Sequence, residues 1–342
     1  MLNLPAFPVS KICRDNTTPE LEILEKIRQG IELTQEETRT LNEIVTFYDT
    51  AIKALDLVDL AAISDQGAID IWKYLTNLFR VTVILQNPVR PGLMFRMIWV
   101  APYNLDQGKV RDPKYLSFTP KSIIKSNGWY GRANSPDSTC LYLGESPQVA
   151  IYECKPKPGD RIIITGWLRN EENKPLYLYR INNVDNINEW VDMATKGMQG
   201  GLEGIHPLYN RMITAIQSFI GRHFTKDIPI LSRRKFEYLY SSFFADEIMK
   251  SDLTFKDKDD MPVFGQYDGI VYPSIATGYK FQNLAIRESS VSKLYPVFCH
   301  EYHIDKIDYN NFNWSKDHLP FSGQLLRKCE KIGNLIVWND DQ

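Results

Sequence analysis

The sequence predicts an α/β protein with a mixed sheet and an N-terminal helical section. Three observations carry the prediction. Residues 1–85 place apolar side chains at helical spacing, with start and stop signals for three helices. Beyond Pro88, short apolar runs of strand length alternate with helical stripes. The composition, 43% hydrophobic and 24% charged over 342 residues, is that of a globular chain long enough to bury a sizeable core.

The elements follow in order. Residues 1–15 carry two prolines and read as an extended arm. Thr18-Pro19-Glu20 opens the first helix, with threonine at the cap and proline in the first turn, and Gly30 stops it. Thr34-Gln35-Glu36-Glu37 is a capping box. Leu41, Ile44, Val45, Tyr48, Ile52 and Leu55 then form one buried stripe, and a third helix spans about Gln66–Phe79. Pro88-Val89-Arg90-Pro91-Gly92 punctuates the chain. Strands are expected at Leu93–Val100, Thr139–Leu143, Asp160–Leu168 and Pro175–Ile181, with a short helix at Ser146–Cys154. From Val184 to about Lys250 the pattern is helical again. A charged loop, Lys256–Asp260, leads to a strand at Gly269–Pro273. A last strand near Tyr295–His303 precedes an irregular aromatic-rich stretch. The expected division is a helical section 1–87, a sheet-bearing domain 88–300 with a helical insertion at about 184–265, and a tail 301–342.

Composition narrows the function classes. Forty Lys and Arg against 42 Asp and Glu give a net charge of −2, without the basic excess of a general nucleic-acid binder. No apolar run is long enough to span a membrane, and the first ten residues lack the pattern of a signal peptide, so a cytoplasmic location is expected. Five cysteines, none spaced CxxC, argue against a disulfide scaffold or structural zinc. His300 and His303 sit in an alternating, strand-like segment that does not match HExxH, so no metal is expected.

Four features carry chemistry. Arg96 lies within the apolar strand Leu93–Ile98, where a charge is costly unless it is paired, faces a cleft, or faces water from an edge strand. Trp129-Tyr130-Gly131-Arg132-Ala133-Asn134-Ser135-Pro136 is either a ligand-holding turn or a surface loop. In Leu141–Glu153 a strand ends, Ser146 caps a helix, and Glu153 falls on the face of Val149 and Ala150, as a buried site acid or a snorkelling edge residue. Tyr267–Ser274 is a strand that breaks at Pro273-Ser274, followed by Asn283.

In this order the four segments resemble the RES domain, named for an arginine, a glutamate and a serine. The matching positions are Arg96; Gly131, Arg132 and Asn134; Tyr142, Ser146, Ala150 and Glu153; and Asp268, Gly269, Ile270, Tyr272, Pro273, Ser274 and Asn283. The resemblance covers roughly residues 92–290. The turn reads G-R-A-N where the family has G-R-W-N, so an aromatic wall is either missing or supplied by Trp129.

The resemblance implies a compact core like that of ADP-ribosyltransferases, and a toxin- or defence-type enzyme that consumes NAD as substrate, with no cofactor. Nicotinamide leaves as a neutral molecule, so one carboxylate can suffice where ordinary glycoside hydrolysis normally uses two. The catalytic residues implied are Glu153, which stabilises the oxocarbenium-like centre, Arg96, which binds diphosphate or an attacking inorganic phosphate, and Ser274, which fixes the ribose or the carboxamide. Tyr142, Arg132, Asn134, Tyr272 and Asn283 are the substrate-binding positions. Tyr142 would offer either its ring face or its phenol. The acceptor is water, phosphate or a macromolecular group, the last making an ADP-ribosyltransferase; a non-catalytic nucleotide-binding module is the remaining alternative. In related toxins an antitoxin or immunity protein blocks the NAD site. The helical section 1–87 then gates the site, or assembles a homo-oligomer by burying its stripe.

Overall fold

A computed structural model describes residues 4–5, 19–79, 94–99, 110–128, 130–170, 176–181, 206–228, 234–256, 262–309, 319–333 and 335–339. In chain order the elements are α1 (Pro19–Arg28), α2 (Gln35–Asp56), α3 (Asp65–Leu78), β1 (Met94–Trp99), α4 (Lys121–Asn127), β2 (Cys140–Gly144), α5 (Pro147–Cys154), β3 (Arg161–Arg169) and β4 (Leu178–Arg180). They continue with α6 (Pro207–Phe224), α7 (Leu239–Lys250), β5 (Asp252–Lys256), β6 (Pro262–Gln266), β7 (Gly269–Pro273), β8 (Gln282–Arg287), β9 (Leu294–Ile307) and β10 (Phe321–Cys329). Two units result, one from residues 1–86 and 182–241, the other from 87–181 and 242–342.

The helical unit is set by local capping and by matched stripes. The Thr34 hydroxyl accepts from the Glu37 amide at 3.2 Å, and the Glu37 carboxylate accepts from the Thr34 amide at 2.9 Å. Such a box is worth about 1 kcal/mol. Leu41, Val45, Ile52 and Leu55 are buried along α2, and Ser64 caps α3 through the Gly67 amide at 3.1 Å. Helix α6 packs on α2 and buries Tyr209, Met212, Ile216, Phe219 and Ile220. Arg211 pairs with Asp49, Arg222 reaches Asp56 at 2.7 Å, and the Tyr240 hydroxyl donates to the Leu55 carbonyl at 2.9 Å. Residues 182–241 therefore complete the N-terminal unit, where the sequence reading placed them as an insertion in the sheet-bearing domain. The apolar faces of α2 and α6 each need a cover, and each supplies the other's.

The second unit is built on an eight-stranded mixed sheet, in the order β10-β9-β3-β1-β2-β8-β7-β4. Every neighbouring pair is antiparallel except β4 with β7. On one face Leu141, Leu143, Ile163, Trp167, Val271, Leu284 and Cys299 pack together under a C-terminal segment that inserts Ile336 and Trp338. The Trp338 indole donates to the Val110 carbonyl at 2.9 Å, so its polar atom is satisfied inside the core. The opposite face carries α5, whose Ala150 and Ile151 pack on Met97, Ile162 and Ile164.

Asp268 ties this sheet together. Its buried carboxylate accepts from Lys293 at 2.7 and 2.8 Å, from Ser290 at 2.6 Å and from the Tyr177 amide at 2.8 Å. A fully paired buried carboxylate of this kind is structural. It joins the segments entering β4 and β7 to the 3-10 turn Glu288–Lys293 that follows β8.

Several elements depart from the sequence reading. Residues 252–266 are a two-stranded hairpin, not part of a helical segment, with the charged residues 257–260 outside the described residues. The expected tail belongs to the sheet: β9 runs to Ile307, and β10 pairs along it as an edge strand. Strand β8 and helix α4 were not foreseen. The arm 1–15, apart from residues 4–5, and the punctuation at 88–92 lie outside the described residues. Among the described residues no helix is long and apolar enough to cross a membrane.

Candidate functional site

Glu153 is delivered by the tight connection from β2 to α5. Ser146 caps the helix, accepting the Val149 amide at 3.3 Å, and Pro147 fills the first turn. Gly144 lets the helix lie close to the strand: a Cβ there would come within 2.9 Å of the Val149 side chain. Lys155 takes the left-handed conformation and ends the helix just past Glu153. The half-buried carboxylate is then held from one side. Its Oε1 accepts from the Ser274 hydroxyl at 2.6 Å and from the Asn283 amide at 2.7 Å. Its Oε2 accepts no hydrogen bond from the described residues.

Ser274 and Asn283 are themselves fixed. Ser274 is buried at the end of β7, with its amide on the Phe281 carbonyl at 2.8 Å and its own carbonyl accepting from the Thr277 hydroxyl at 3.1 Å. Asn283 is buried on β8, in register with Gly144 of β2 on one side and Tyr272 of β7 on the other. Tyr272 is buried beside it. Glu153, Ser274, Asn283 and Tyr272, distant in sequence, thus meet in one place.

Arg96 stands on β1, between β3 and β2 in the middle of the sheet, which rules out the edge-strand reading. Among the described residues β1 shares six registered pairs with β3 but only Phe95–Gly144 with β2. Where the two strands part, the guanidinium Nη1 donates to the Tyr142 main-chain carbonyl at 3.2 Å. Its Nε is buried without a partner, and no described carboxylate forms an ion pair with it. Burial pushes the group below its usual pKa, and the neighbouring Cys154 and Tyr142 oppose that shift. It stays cationic at neutral pH. Cys154 adjoins Glu153 in the chain, so the arginine lies near the C-terminal end of α5. Burial raises the Cys154 thiol to about 12, with Arg96 pulling the other way. It is therefore protonated at neutral pH and is no nucleophile.

The turn before β2 is hung on Tyr142. The phenol donates to Asn134 Oδ1 and accepts from the Ala133 amide, both at 2.8 Å. The Gly131 amide closes the turn on the Asn134 carbonyl at 2.8 Å. A Cβ at Gly131 would stand 2.2 Å from Asn134 Oδ1, so any other residue there has to displace the amide that Tyr142 holds. The phenol of Tyr142 is thus committed to the turn. Asn134 is buried by the same bond, and Arg132 is half-buried in the middle of the turn, with no ion pair or hydrogen bond to Glu153 among those described. Trp129 lies outside the described residues. On the far side of the turn, Ser135 donates to Asp246 of α7 at 3.2 Å, a contact that the sequence did not bring to notice. The one available signal is a pair of acidic residues, Asp246 and Glu247, inside the otherwise apolar run Phe243–Met249.

Tyr142, Gly144 and Asn283 share the face that carries α5, whereas Arg96 alternates with Phe95 and Met97 and starts from the side of Met94 and Ile98. Tyr142 and Gly144 alternate with Leu141 and Leu143, which point into the opposite core, and Asn283 faces with Gly144. Among the described residues the arrangement offers a carboxylate oxygen with no hydrogen-bond partner, a cation with an unfilled donor, and a turn held on β2. His300 and His303, three apart on β9, fall on opposite faces and cannot chelate one ion. Comparison with protein-family models, with curated proteins and with solved structures returns no match.

Proposed function

We propose that this chain is a RES-type enzyme of toxin or defence kind that cleaves the nicotinamide–ribose bond of NAD, transferring the ADP-ribosyl group to water or inorganic phosphate. The observation that carries the reading is Glu153, with one oxygen saturated by Ser274 and Asn283 and the other without a hydrogen bond from the described residues, on a helix whose next residue, Cys154, interacts with an arginine that pairs with no carboxylate among those residues. A cation and a carboxylate oxygen that are not paired with each other or with another charge among the described residues suit a substrate with an anionic middle and a ribose that gains positive charge in the transition state.

In this reading Glu153 Oε2 accepts a ribose hydroxyl and stabilises the oxocarbenium-like centre as neutral nicotinamide departs. No proton has to reach the leaving group. Ser274 and Asn283 hold Oε1, so the carboxylate does not need to reorganise during the reaction. The Nε and Nη2 edge of Arg96 receives a phosphoryl oxygen pair, the geometry in which a guanidinium outperforms an ammonium. Tyr142 and Asn134 shape the turn that presents Arg132, and Tyr272 lies beside Asn283 as a further wall.

The test is direct. Purified protein is incubated with NAD, with and without inorganic phosphate, and the products are separated by chromatography. Release of nicotinamide is expected. ADP-ribose without phosphate identifies a hydrolase, a phosphorylated ADP-ribose formed only with phosphate identifies a phosphorylase, and intact NAD refutes the reading.

A further inference from the structure

We infer that Asp246 is a positioning residue that holds the Gly131–Ser138 turn in place for NAD recognition, an inference that rests on the NAD reading above. The first half of that turn hangs on β2. The Tyr142 hydroxyl binds Asn134 and the Ala133 amide, and the Cys140 thiol donates to the Ala133 carbonyl at 3.1 Å. The second half is tied down elsewhere. Ser138 Oγ accepts from the Ser135 amide at 2.8 Å, and the two serine hydroxyls lie 3.1 Å apart. Ser135 Oγ then donates to Asp246 Oδ2 at 3.2 Å, a bond that spans 111 residues of sequence.

Asp246 is costly where it stands. It is buried on α7 beside Phe243, Phe244, Ala245, Ile248 and Met249, which are also buried, whereas the adjacent Glu247 is exposed. A carboxylate there loses its hydration and must be compensated. Lys250, one helical turn on, approaches only to 3.7 Å and is largely exposed. Among the described residues Ser135 is the hydrogen-bond donor to this carboxylate. An apolar residue would pack better on such a helix face. The retained charge makes a single contact between elements, and that contact lands next to Asn134 and three residues from Arg132.

The consequence is specific. Glu153 is fixed by Ser274 and Asn283 and does not depend on the turn, so loss of the Asp246 contact leaves bond cleavage intact once NAD is bound. What suffers is the placing of Arg132 and Asn134, and with it the binding of substrate. Loss of one hydrogen bond to a charged acceptor corresponds to about a tenfold rise in KM.

The experiment measures kcat and KM for NAD in wild type, Asp246→Ala, Asp246→Asn and Ser135→Ala, together with amide exchange over residues 130–138. Asp246→Ala is expected to raise KM about tenfold, to leave kcat within about twofold, and to speed exchange across the turn. Ser135→Ala removes the same bond from the other partner and is expected to match it. Asp246→Asn keeps an acceptor oxygen for Ser135 and is expected to restore most of the loss. If Asp246→Ala fails to fold, Ser135→Ala decides. Wild type that consumes NAD while Asp246→Ala or Ser135→Ala keeps its KM overturns this inference and spares the NAD reading. An equal loss in Asp246→Asn, or a fall in kcat instead of a rise in KM, overturns it as well. Wild type that leaves NAD intact overturns the reading and this inference with it, whereas an unmoved turn in the exchange measurement overturns the inference alone.

Discussion

Glu153→Gln separates the charge of the carboxylate from its shape. In the native site Oε1 accepts two hydrogen bonds, at 2.6 and 2.7 Å. The glutamine amide oxygen can take over both, which puts an NH2 donor where Oε2 stood. Hydrogen bonds to charged groups are worth roughly 1.5–3 kcal/mol and neutral ones roughly 0.5–1.5. The pair therefore weakens, but a half-buried charge no longer has to be desolvated, and the two effects oppose each other. We expect a stability change of about 1 kcal/mol or less, a shift of a few degrees in Tm. Catalysis has no such compensation. An acceptor facing the ribose becomes a donor, and the negative charge that would stabilise the oxocarbenium-like centre is gone. Preorganised electrostatic groups of this kind are worth about 3–4 kcal/mol, so NAD turnover is expected to fall by about 10² to 10³. The assay is nicotinamide release by chromatography beside a thermal melt. A folded Glu153→Gln protein that consumes NAD at the wild-type rate would refute the single-carboxylate argument.

Three further outcomes are expected. Arg96→Lys keeps the charge but loses the guanidinium fork; since Nη1 is already engaged by the Tyr142 carbonyl, the substitution is expected to raise KM for NAD or phosphate by about tenfold in steady-state kinetics, and an unchanged value would show that the fork holds no phosphoryl group. Trp338→Ala empties a fully buried site and orphans the Val110 carbonyl, so chemical denaturation is expected to report a loss of about 3–5 kcal/mol, and a loss under about 1 kcal/mol would show that the C-terminal segment is not part of the core. Burial holds His223 below the ordinary imidazole value against the pull of Asp56, so the unfolded chain takes up a proton first as pH falls through about 6.5. The stabilising contribution is complete above that pH and is lost as pH drops towards the folded value. Urea midpoints for the helical unit are expected to decline from pH 7.5 to 5.5 in wild type and to flatten in His223→Gln, and equal slopes would assign the effect to other groups.

What could be read from the sequence was local. Caps, stripes and breakers depend on neighbours within one or two turns, so the capping box at Thr34, the Ser146-Pro147 start of α5 and the strand Gly269–Pro273 were all legible. Strands β8 and β10 were not. Gln282–Arg287 carries Asn283 in place of an apolar residue, and that asparagine is the one bonded to Glu153. Phe321–Cys329 contains Gly323 and two charges, and it lies at the sheet edge, where Ser322, Gln324 and Leu325 face water and the apolar pattern relaxes. Arg96 was ambiguous for a related reason. A single charge in an apolar run has the same appearance on an edge strand as on a central strand that parts from its neighbour. Pairing beyond the segment decides between them, and here β1 is central. The failures therefore gather where a residue breaks the rule of its own element: Asn283 in a strand, Asp246 in a buried helix face, Arg96 in the middle of the sheet. Each is a polar group placed at a cost to local packing, and each makes a hydrogen bond to an element distant in the chain. Such violations persist where a site needs them. That is a physical reason, independent of any resemblance, to look for the chemistry of this protein between the end of α5, the end of β7 and the turn that precedes β2.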